Sequence, residues 1–429
     1  MSSIDYNSSN YAILPIDYSN ILCYYLNTMT LEQRQLYYKI GEVFGPSPIL
    51  DQTLFAGRTK ETSKILDAVL QRGQHVIIFG ERGVGKTSIA NMLSPYLENL
   101  GKRVIAPKAS CSAADTYTDI WRKLFSQLVL SVKKQFLGEV IDSQKLSDKL
   151  PETITMQFVQ EQLAQLGSQT LLIIIVDEFD RFHDKELFAD TIKAICDYDI
   201  PVTIVLVGVA ETLTELLSAH QSVERSLVDV HLEPMTADEL KEIITKGQVI
   251  LGMTMDEPAK TLICHLSQGL PYLVHELTRH ASRATVSGRD EREVTVDDVR
   301  TGMKAMVAQV QEAMRQQYQT AIASPHKDAL YAPILLACAL TKPNELGYFV
   351  AGDIRPALRT ITKRKDLDIP AYSKHLHAFC EPDRGSILRR AGKQHAYRFK
   401  FSSALMKPYI VVRALTEEVI TEEICRQFM

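Results

Sequence analysis

The sequence predicts an α/β protein in which a parallel sheet flanked by helices is followed by a wholly helical segment. Short apolar runs at 75–79, 171–176 and 203–209 have the composition of buried parallel strands, and they alternate with segments of helical periodicity. From 237 to 318 the pattern is helical throughout. Because such alternation places helices on both faces of a sheet, we expect a ligand site at the carboxyl edge of the strands.

The composition is that of an ordinary globular chain of two or three domains. It has 429 residues, of which 45% are hydrophobic and 23% charged, and a net charge of −4. The seven cysteines are scattered and never form C-x-x-C, which indicates reduced thiols and a cytoplasmic location. The N-terminus lacks the pattern of a signal peptide, and the longest apolar run, at 171–176, is too short to span a bilayer, so we expect no membrane partner.

Residues 80–87 read GERGVGKT and match the phosphate-binding pattern G-x-x-x-x-G-K-[ST], with Gly80, Gly85, Lys86 and Thr87 at the fixed positions. A loop of small residues frees backbone N–H groups to surround a polyphosphate, and the following helix adds the positive end of its dipole. Lys86 is predicted to reach the β- and γ-phosphates of ATP, and Thr87 to ligate Mg²⁺. The alternative is a chance glycine-rich turn between a strand and a helix.

The apolar run at 171–176 ends in Asp177-Glu178-Phe179-Asp180, which is the partner that a phosphate-binding loop requires. Asp177 is predicted to hold Mg²⁺ through water, and Glu178 to polarise the water that attacks the γ-phosphate. The alternative is a solvated acidic turn after a buried strand.

The C-terminal segment predicts a winged helix-turn-helix. Three helices, at 330–340, 354–361 and 370–379, precede a hairpin at 386–401. The predicted domains are an N-terminal arm and helix (1–44), a nucleotide-binding domain (45–232), a helical lid (233–318) and the winged-helix domain (319–429).

The motifs FAGR, GERGVGKTS, IIIVDEFD, VLVGVAET and SQGLPYLVHEL occur in the order found in AAA+ ATPases, which the chain resembles. With the C-terminal segment, it looks like the origin-recognition-complex and archaeal replication-initiator clade in a bacterial-style form. The resemblance implies that 49–58, including Arg58, lines the adenine side, and that Gly83, Val84 and Ser88 help to surround the phosphates. It also implies that Arg225 is an arginine finger acting on a neighbouring subunit of a homo-oligomer. The alternative for Arg225 is a surface salt bridge.

Two positions depart from the pattern of the family. The polar sensor after the fourth strand falls on Glu211 or Thr212, and the sequence does not decide between them. The lid position that usually supplies an arginine to the nucleotide holds Tyr272, and His275 or Arg279 could replace it geometrically. Without that arginine we expect ATP to be held well and hydrolysed slowly, which suits a switch.

The C-terminal segment is strongly basic. Residues 355–400 contain twelve Lys and Arg and four Asp and Glu, an excess of eight positive charges in a chain that nets −4. Concentrated positive charge on one module predicts phosphate binding, here to double-stranded DNA. The candidate contacts on the recognition helix and the wing are Lys374, His375, His377, Arg389, Arg390 and Lys393. The alternative is a module that contacts only protein.

The first functional hypothesis is an ATP-dependent assembly switch that loads, remodels or marks DNA. The second is a signalling or defence NTPase whose winged helix holds it closed or contacts protein. A narrower third hypothesis is a target selector that forms filaments on DNA. Each is compatible with a separate effector protein.

Overall fold

The computed structural model describes residues 29–135, 150–166, 170–210, 224–288, 291–310, 312–326, 329–344, 347–393 and 396–429. The helices up to residue 210 are α1 (Leu31–Val43), α2 (Thr59–Leu70), α3 (Lys86–Asn99), α4 (Tyr117–Gln135), α5 (Met156–Leu166) and α6 (Lys185–Asp197). Those that follow are α7 (Ala237–Leu251), α8 (Glu257–Ser267), α9 (Pro271–Gly288), α10 (Val296–Gln309), α11 (Glu312–Ile322), α12 (Tyr331–Leu340), α13 (Arg355–Thr362), α14 (Ile369–Ala378), α15 (Met406–Thr416) and α16 (Glu422–Phe428). None of the helices in these ranges has the length and apolar character needed to span a membrane.

The strands fall into a large sheet and two small ones. They are β1 (His75–Gly80), β2 (Val104–Ile105), β3 (Lys108–Ser110), β4 (Leu171–Asp177), β5 (Val202–Val209), β6 (Leu227–Leu232), β7 (Thr254–Met255), β8 (Glu293–Val294), β9 (Phe349–Val350), β10 (Leu388–Ala391) and β11 (Arg398–Phe401). The first six strands form one sheet in the order β2-β4-β5-β1-β6, with β3 also pairing with β4. All of its pairs are parallel, which confirms the predicted α/β class.

The order of the strands decides which loops meet at the ligand edge. β5 lies between β1, which leads into the phosphate-binding loop, and β4, which ends at Asp177. The carboxyl ends of parallel strands lie at the same edge, so the loop and the acids that follow β4 open into one cleft.

The two faces of the sheet carry separate hydrophobic cores. Val76 and Ile78 of β1 point into one core, and the alternating Ile77 and Phe79 point into the other. The second core contains Trp121 of α4, which is fully buried and lies 5.9 Å from the parallel ring of Phe188 of α6. Covering helices on both faces explain why the strands of the sheet are continuously apolar rather than alternating.

The N-terminal helix α1 packs against the lid. Thr30 begins it with a capping box, in which its side chain accepts a hydrogen bond from the Gln33 backbone and Gln33 reciprocates. At the other end of α1, Phe44 is buried and lies against Gly247 of α7, where a Cβ atom would collide with its ring. The residues just before the nucleotide-binding domain are therefore anchored to the helices that follow it.

The segment that was expected to be helical throughout contains α7 to α11. The short strands β7 and β8 also lie in it and pair in parallel, so the expectation was wrong at these two places. The sequence also favours one continuous helix over 296–318, but the structure has two, α10 and α11, because the chain turns to extended backbone at Val310. Sequence periodicity alone could not show this break, since no glycine or proline marks it.

The C-terminal segment has the order α12, β9, α13, α14, β10 and β11. Its three strands form an antiparallel sheet in which β11 lies between β10 and β9. The sequence analysis missed β9, which is only two residues long. One continuous hydrophobic core joins this segment to the lid, since Ile263 and Val274 of the lid belong to the same cluster as Ile334 and Leu376. The two predicted domains are therefore packed as one unit.

Candidate nucleotide site

The phosphate-binding loop connects β1 to α3 with backbone geometry that only glycine adopts easily. A Cβ atom on Gly80 would lie 2.5 Å from the Leu232 carbonyl oxygen of β6. Gly85 precedes the first residue of α3 with a φ of 97°, in the left-handed region. These constraints place the loop over the N-terminus of α3, where free backbone N–H groups form an anion site.

Lys86 lies at the base of this loop and is only 8% exposed. Its ammonium group donates hydrogen bonds to the carbonyl oxygens of Gly80, at 3.1 Å, and Glu81, at 2.6 Å. Burial lowers the pKa of Lys86 to about 8, although the carboxylates of Asp180 and Asp177 oppose this shift. Lys86 therefore keeps a positive charge in the loop at neutral pH, and this charge would attract a phosphate.

The two predicted acids stand at the end of β4 in different environments. Asp177 is 5% exposed, and its Oδ1 accepts a hydrogen bond from the Glu178 backbone at 2.9 Å. Glu178 has a left-handed φ of 53°, and its exposed carboxylate pairs with Arg181 at 3.0 Å. The buried acid suits a fixed metal ligand, and the exposed one can reach a water molecule.

Sequence reasoning missed Lys108, which contacts Asp177. The Lys108 Nζ lies 2.9 Å from Asp177 Oδ2, and the side chain starts from β3 beside the end of β4. No motif marks this lysine.

The loop, the acids and the lid enclose a cleft of about 840 Å³, which lies within the range of small-molecule sites. Lys86, Thr87, Asp177 and Glu178 all line it, as predicted from the two motifs. A lysine, a hydroxyl and a buried carboxylate fit a nucleotide with Mg²⁺, because Mg²⁺ prefers oxygen ligands and shares them with phosphates. The loop residues Gly83, Val84, Gly85 and Ser88 also line the cleft.

Ile49 and Phe55 form part of the apolar wall of the cleft. The Ile49 backbone N–H donates to the Ser88 hydroxyl at 3.2 Å, so the segment before α2 is tied to α3. The resemblance to AAA+ ATPases predicted that the adenine of ATP would lie against this segment.

Arg58 lines the cleft, but both terminal nitrogens of its guanidinium are bonded to other protein groups. It is 3% exposed, and its guanidinium donates to the Val84 carbonyl at 3.1 Å and the Glu233 carbonyl at 2.5 Å. It also pairs with Glu61 at 2.8 Å, and its backbone N–H donates to Glu239 at 2.9 Å. Arg58 therefore joins the phosphate-binding loop to the start of the lid.

The lid presents Tyr272, His275, Glu276 and Arg279 to the cleft. His275 is buried against Phe44, and this burial lowers its pKa to about 4, so it carries no charge at neutral pH. Arg279 pairs with Glu276 at 2.6 Å. Of the two residues considered as replacements for the lid arginine, only Arg279 brings a positive charge.

Arg225 lies outside this cleft. It is exposed in the short helical turn Glu224–Ser226 that precedes β6. The sensor candidates Glu211 and Thr212 fall outside the residues that the structure describes.

The residues predicted to contact DNA differ in their exposure to solvent. Lys374, Arg389, Arg390 and Lys393 are exposed, and His377 is partly buried. The expectation for His375 was wrong, because its ring is buried 4.7 Å from the ring of Tyr331 and cannot reach a groove.

The two wing arginines point to opposite faces of the hairpin, since neighbouring residues of a strand alternate. Arg389 pairs in register with Lys400, and Arg390 with Phe399. Arg390 lies 3.3 Å from His377 of α14, so only this arginine joins the face of the predicted recognition helix.

Lys400 connects this hairpin to the phosphate-binding loop. Its Nζ lies 2.6 Å from Glu81 Oε1, and both side chains are at least partly buried. Nearby, Leu405 and Tyr409 line the nucleotide cleft. The sequence analysis counted Lys400 among the basic residues of the segment and did not predict this contact.

Residues 69–217 match the sequence model of one family, which is described as the AAA domain. This match covers the loop of Lys86 and the acids Asp177 and Glu178. The AAA domain is a nucleotide-binding ATPase domain, so the match agrees with the cleft. The search of curated proteins found no match to this sequence.

Two solved structures share the fold of most of the chain. The ORC2 protein of Aeropyrum pernix is 16% identical, with 88% of this chain and 97% of that chain covered and a TM-score of 0.51. A Walker-type ATPase of Pyrococcus abyssi is 16% identical, with 86% and 99% covered and a TM-score of 0.53. The likeness extends beyond the AAA domain to the helical segments that follow it, and at this identity it concerns the fold.

Proposed function

We propose that the chain is an ATPase that uses ATP and Mg²⁺ as an assembly switch on double-stranded DNA, with slow hydrolysis and a cytoplasmic location. The observation that carries the proposal is the meeting of Lys86, Thr87, Asp177 and Glu178 in one cleft beneath the lid. The ADPNP and ADP complexes of the Aeropyrum pernix ORC2 protein support an adenine nucleotide as the ligand.

Each residue of the cleft has a separate proposed role in ATP hydrolysis. Lys86 and the loop amides would hold the phosphates. Thr87 and Asp177 would hold Mg²⁺, which would supply charge stabilisation to the phosphate oxygens. Glu178 accepts the proton of the attacking water. Its left-handed backbone turns this side chain away from the buried position of Asp177 and into the cleft.

Slow turnover follows from the surroundings of these groups. Tyr272 stands where a lid arginine would stabilise the transition state, and Arg279 is paired with Glu276. A site that lacks one of the arginines acting on the γ-phosphate loses rate by orders of magnitude, even though Lys86 contributes its own charge. Arg225 lies outside its own cleft and is exposed, which supports a role in the cleft of a neighbouring copy.

The test is the size of a Glu178→Gln variant with ATP and Mg²⁺, with and without duplex DNA. We expect this variant to bind ATP, to stop hydrolysis and to accumulate as an oligomer, and Arg225→Ala to prevent that accumulation. Glu186→Gln changes an exposed acid of α6 and is the matched control. A Glu178→Gln protein that binds ATP and stays monomeric at every concentration would contradict the assembly switch.

The order helix, strand, two helices and two strands in the C-terminal segment supports a winged helix that binds DNA. Lys374 and His377 are three residues apart on α14 and share a face with Arg390. We expect Lys374→Gln and Arg390→Gln each to reduce the slope of log affinity against log salt by about 1. Lys60→Gln, at an exposed position of α2, is the control, and a slope near zero for the unmodified protein would refute DNA binding.

A second candidate function is a signalling or defence NTPase held closed by the C-terminal segment. The observation that favours it is the Lys400–Glu81 ion pair, together with Leu405 and Tyr409 at the cleft. This candidate predicts that DNA leaves ATP turnover unchanged and that a protein ligand starts assembly. The sizing experiment separates the two, because only the first function responds to duplex DNA.

A further inference from the structure

Lys108 makes two short contacts, and one of them is with Asp177, which lines the nucleotide cleft. Its Nζ lies 2.9 Å from Asp177 Oδ2 and donates to Asn91 Oδ1, also at 2.9 Å. The lysine side chain is about a quarter exposed and the aspartate is almost fully buried. A buried carboxylate requires a partner, because an unpaired charge in a dry environment is costly.

Both oxygens of Asp177 are engaged by the protein itself. Oδ1 accepts from the Glu178 backbone and Oδ2 from Lys108. The same carboxylate is the proposed ligand for Mg²⁺ and its water. A divalent cation that binds here must therefore compete with the Lys108 ammonium group, which already neutralises the Asp177 carboxylate.

The second contact of Lys108 reaches the helix of the phosphate-binding loop. Asn91 lies one turn after Thr87 on α3, so the two side chains share a face. The amide of Asn91 donates to the Ile49 carbonyl at 3.4 Å, at the apolar wall of the cleft. Lys108 thus joins the metal side of the site to the helix that carries Thr87.

We propose that Lys108 is a positioning residue that holds Asp177 when no metal is bound and sets the Mg²⁺ concentration at which the nucleotide site fills. This inference rests on the proposed function. When Mg²⁺ arrives with the nucleotide, the ammonium gives up part of its contact with Oδ2 and keeps Asn91. The cost of that exchange raises the Mg²⁺ requirement and links metal binding to the position of α3.

The experiment titrates Mg²⁺ at a fixed concentration of a fluorescent ATP analogue, with the full chain and with binding rather than hydrolysis as the readout. In Lys108→Met, Mg²⁺ no longer competes with a cation, so we expect half-saturation at about tenfold lower Mg²⁺. Lys108→Arg keeps the charge and should remain within about twofold of the unmodified protein. Lys123→Met, which breaks a comparable lysine pair with Asp115, is the matched control.

A second measurement separates this role from a merely structural one. Lys108→Met leaves Asp177 buried without its partner, so its melting temperature in EDTA should fall. Mg²⁺ with the nucleotide should then raise the melting temperature of this variant more than that of the unmodified protein. In Lys108→Met combined with Asp177→Asn, the extra Mg²⁺ effect should disappear, because the carboxylate that both cations share is gone.

Nucleotide binding with an unchanged or higher Mg²⁺ half-saturation in Lys108→Met would overturn the inference and leave the proposed function standing. An equal shift in Lys123→Met would also overturn it, since the effect would then be general. An unmodified protein that binds no nucleotide at any Mg²⁺ concentration would refute the proposed function and the inference together.

Discussion

The low pKa of Lys86 leads to a measurable pH dependence of nucleotide binding. Burial lowers this pKa from 10.5 to about 8, and the charged form is the one that attracts phosphate. At pH 7 nearly all of the free protein carries the charge, whereas at pH 9 only about one tenth does. Since the bound phosphate favours the charged form, the affinity for ATP should fall about tenfold between pH 7 and pH 9.

The assay is fluorescence titration of an ATP analogue at half-unit pH steps from 7 to 9.5, with circular dichroism to verify folding at each step. In Lys86→Arg the guanidinium stays protonated over this range, so we expect a flat profile. Lys407 also has a pKa lowered to about 8 by burial and lies near Glu81, so Lys407→Met is needed beside it. In Lys407→Met, the affinity for ATP should fall with pH as steeply as it does in the unmodified protein.

The stability of the free protein should change in the opposite sense. The folded protein releases the Lys86 proton at a lower pH than the unfolded chain does, so it binds fewer protons between about pH 8 and 10.5. The contribution of Lys86 to stability therefore rises with pH through this window. Constant ATP affinity from pH 7 to 9, or an equal fall in Lys86→Arg, would refute the reasoning.

Two further changes test the core and the contact between segments. Trp121→Ala removes a fully buried ring that stacks on another aromatic ring. It should lower the unfolding free energy of the sheet domain by about 3–5 kcal/mol, measured by circular dichroism melting. The control Leu187→Ala, at a side chain that is 37% exposed, should lower this free energy far less. Lys400→Met breaks the partly buried ion pair with Glu81. After solvent screening, this should weaken the attachment of the C-terminal segment by about 1 kcal/mol. The measurement is amide hydrogen exchange, which should become faster in β10 and β11. Lys393→Met, in the exposed turn of the same hairpin, should leave that exchange unchanged, and equal rates in both variants would contradict a role for the ion pair.

The position of the site was predictable because its signals are local. The pattern GERGVGKT and the acids after 171–176 each combine a buried strand with a turn, and short-range chemistry determines both. Parallel pairing then brings the loop and the acids to one edge. The match to the AAA domain agrees with the predicted fold of residues 69–217. Lys86, Thr87, Asp177 and Glu178 do line one cleft, and their roles toward a nucleotide stay predictions.

The weaker predictions depended on side chains whose surroundings come from distant parts of the chain. A histidine on a basic helix gives no local sign of burial, and His375 is covered by Tyr331 of a different helix. Likewise, Arg58 was assigned to the adenine side by its place in a motif, but it binds two carbonyl groups from the loop and the lid. Only packing shows which atoms of such residues are already satisfied.

The sequence by itself determined the class of fold, the phosphate-binding loop and the acids, because helix period, strand composition and glycine geometry act over a few residues. The tertiary structure decided how these parts are connected. It joined the lid and the C-terminal segment in one core, paired Lys108 with Asp177, and placed Lys400 on Glu81 of the loop. These contacts join residues far apart in the chain, and no periodicity within either segment encodes the distance between them.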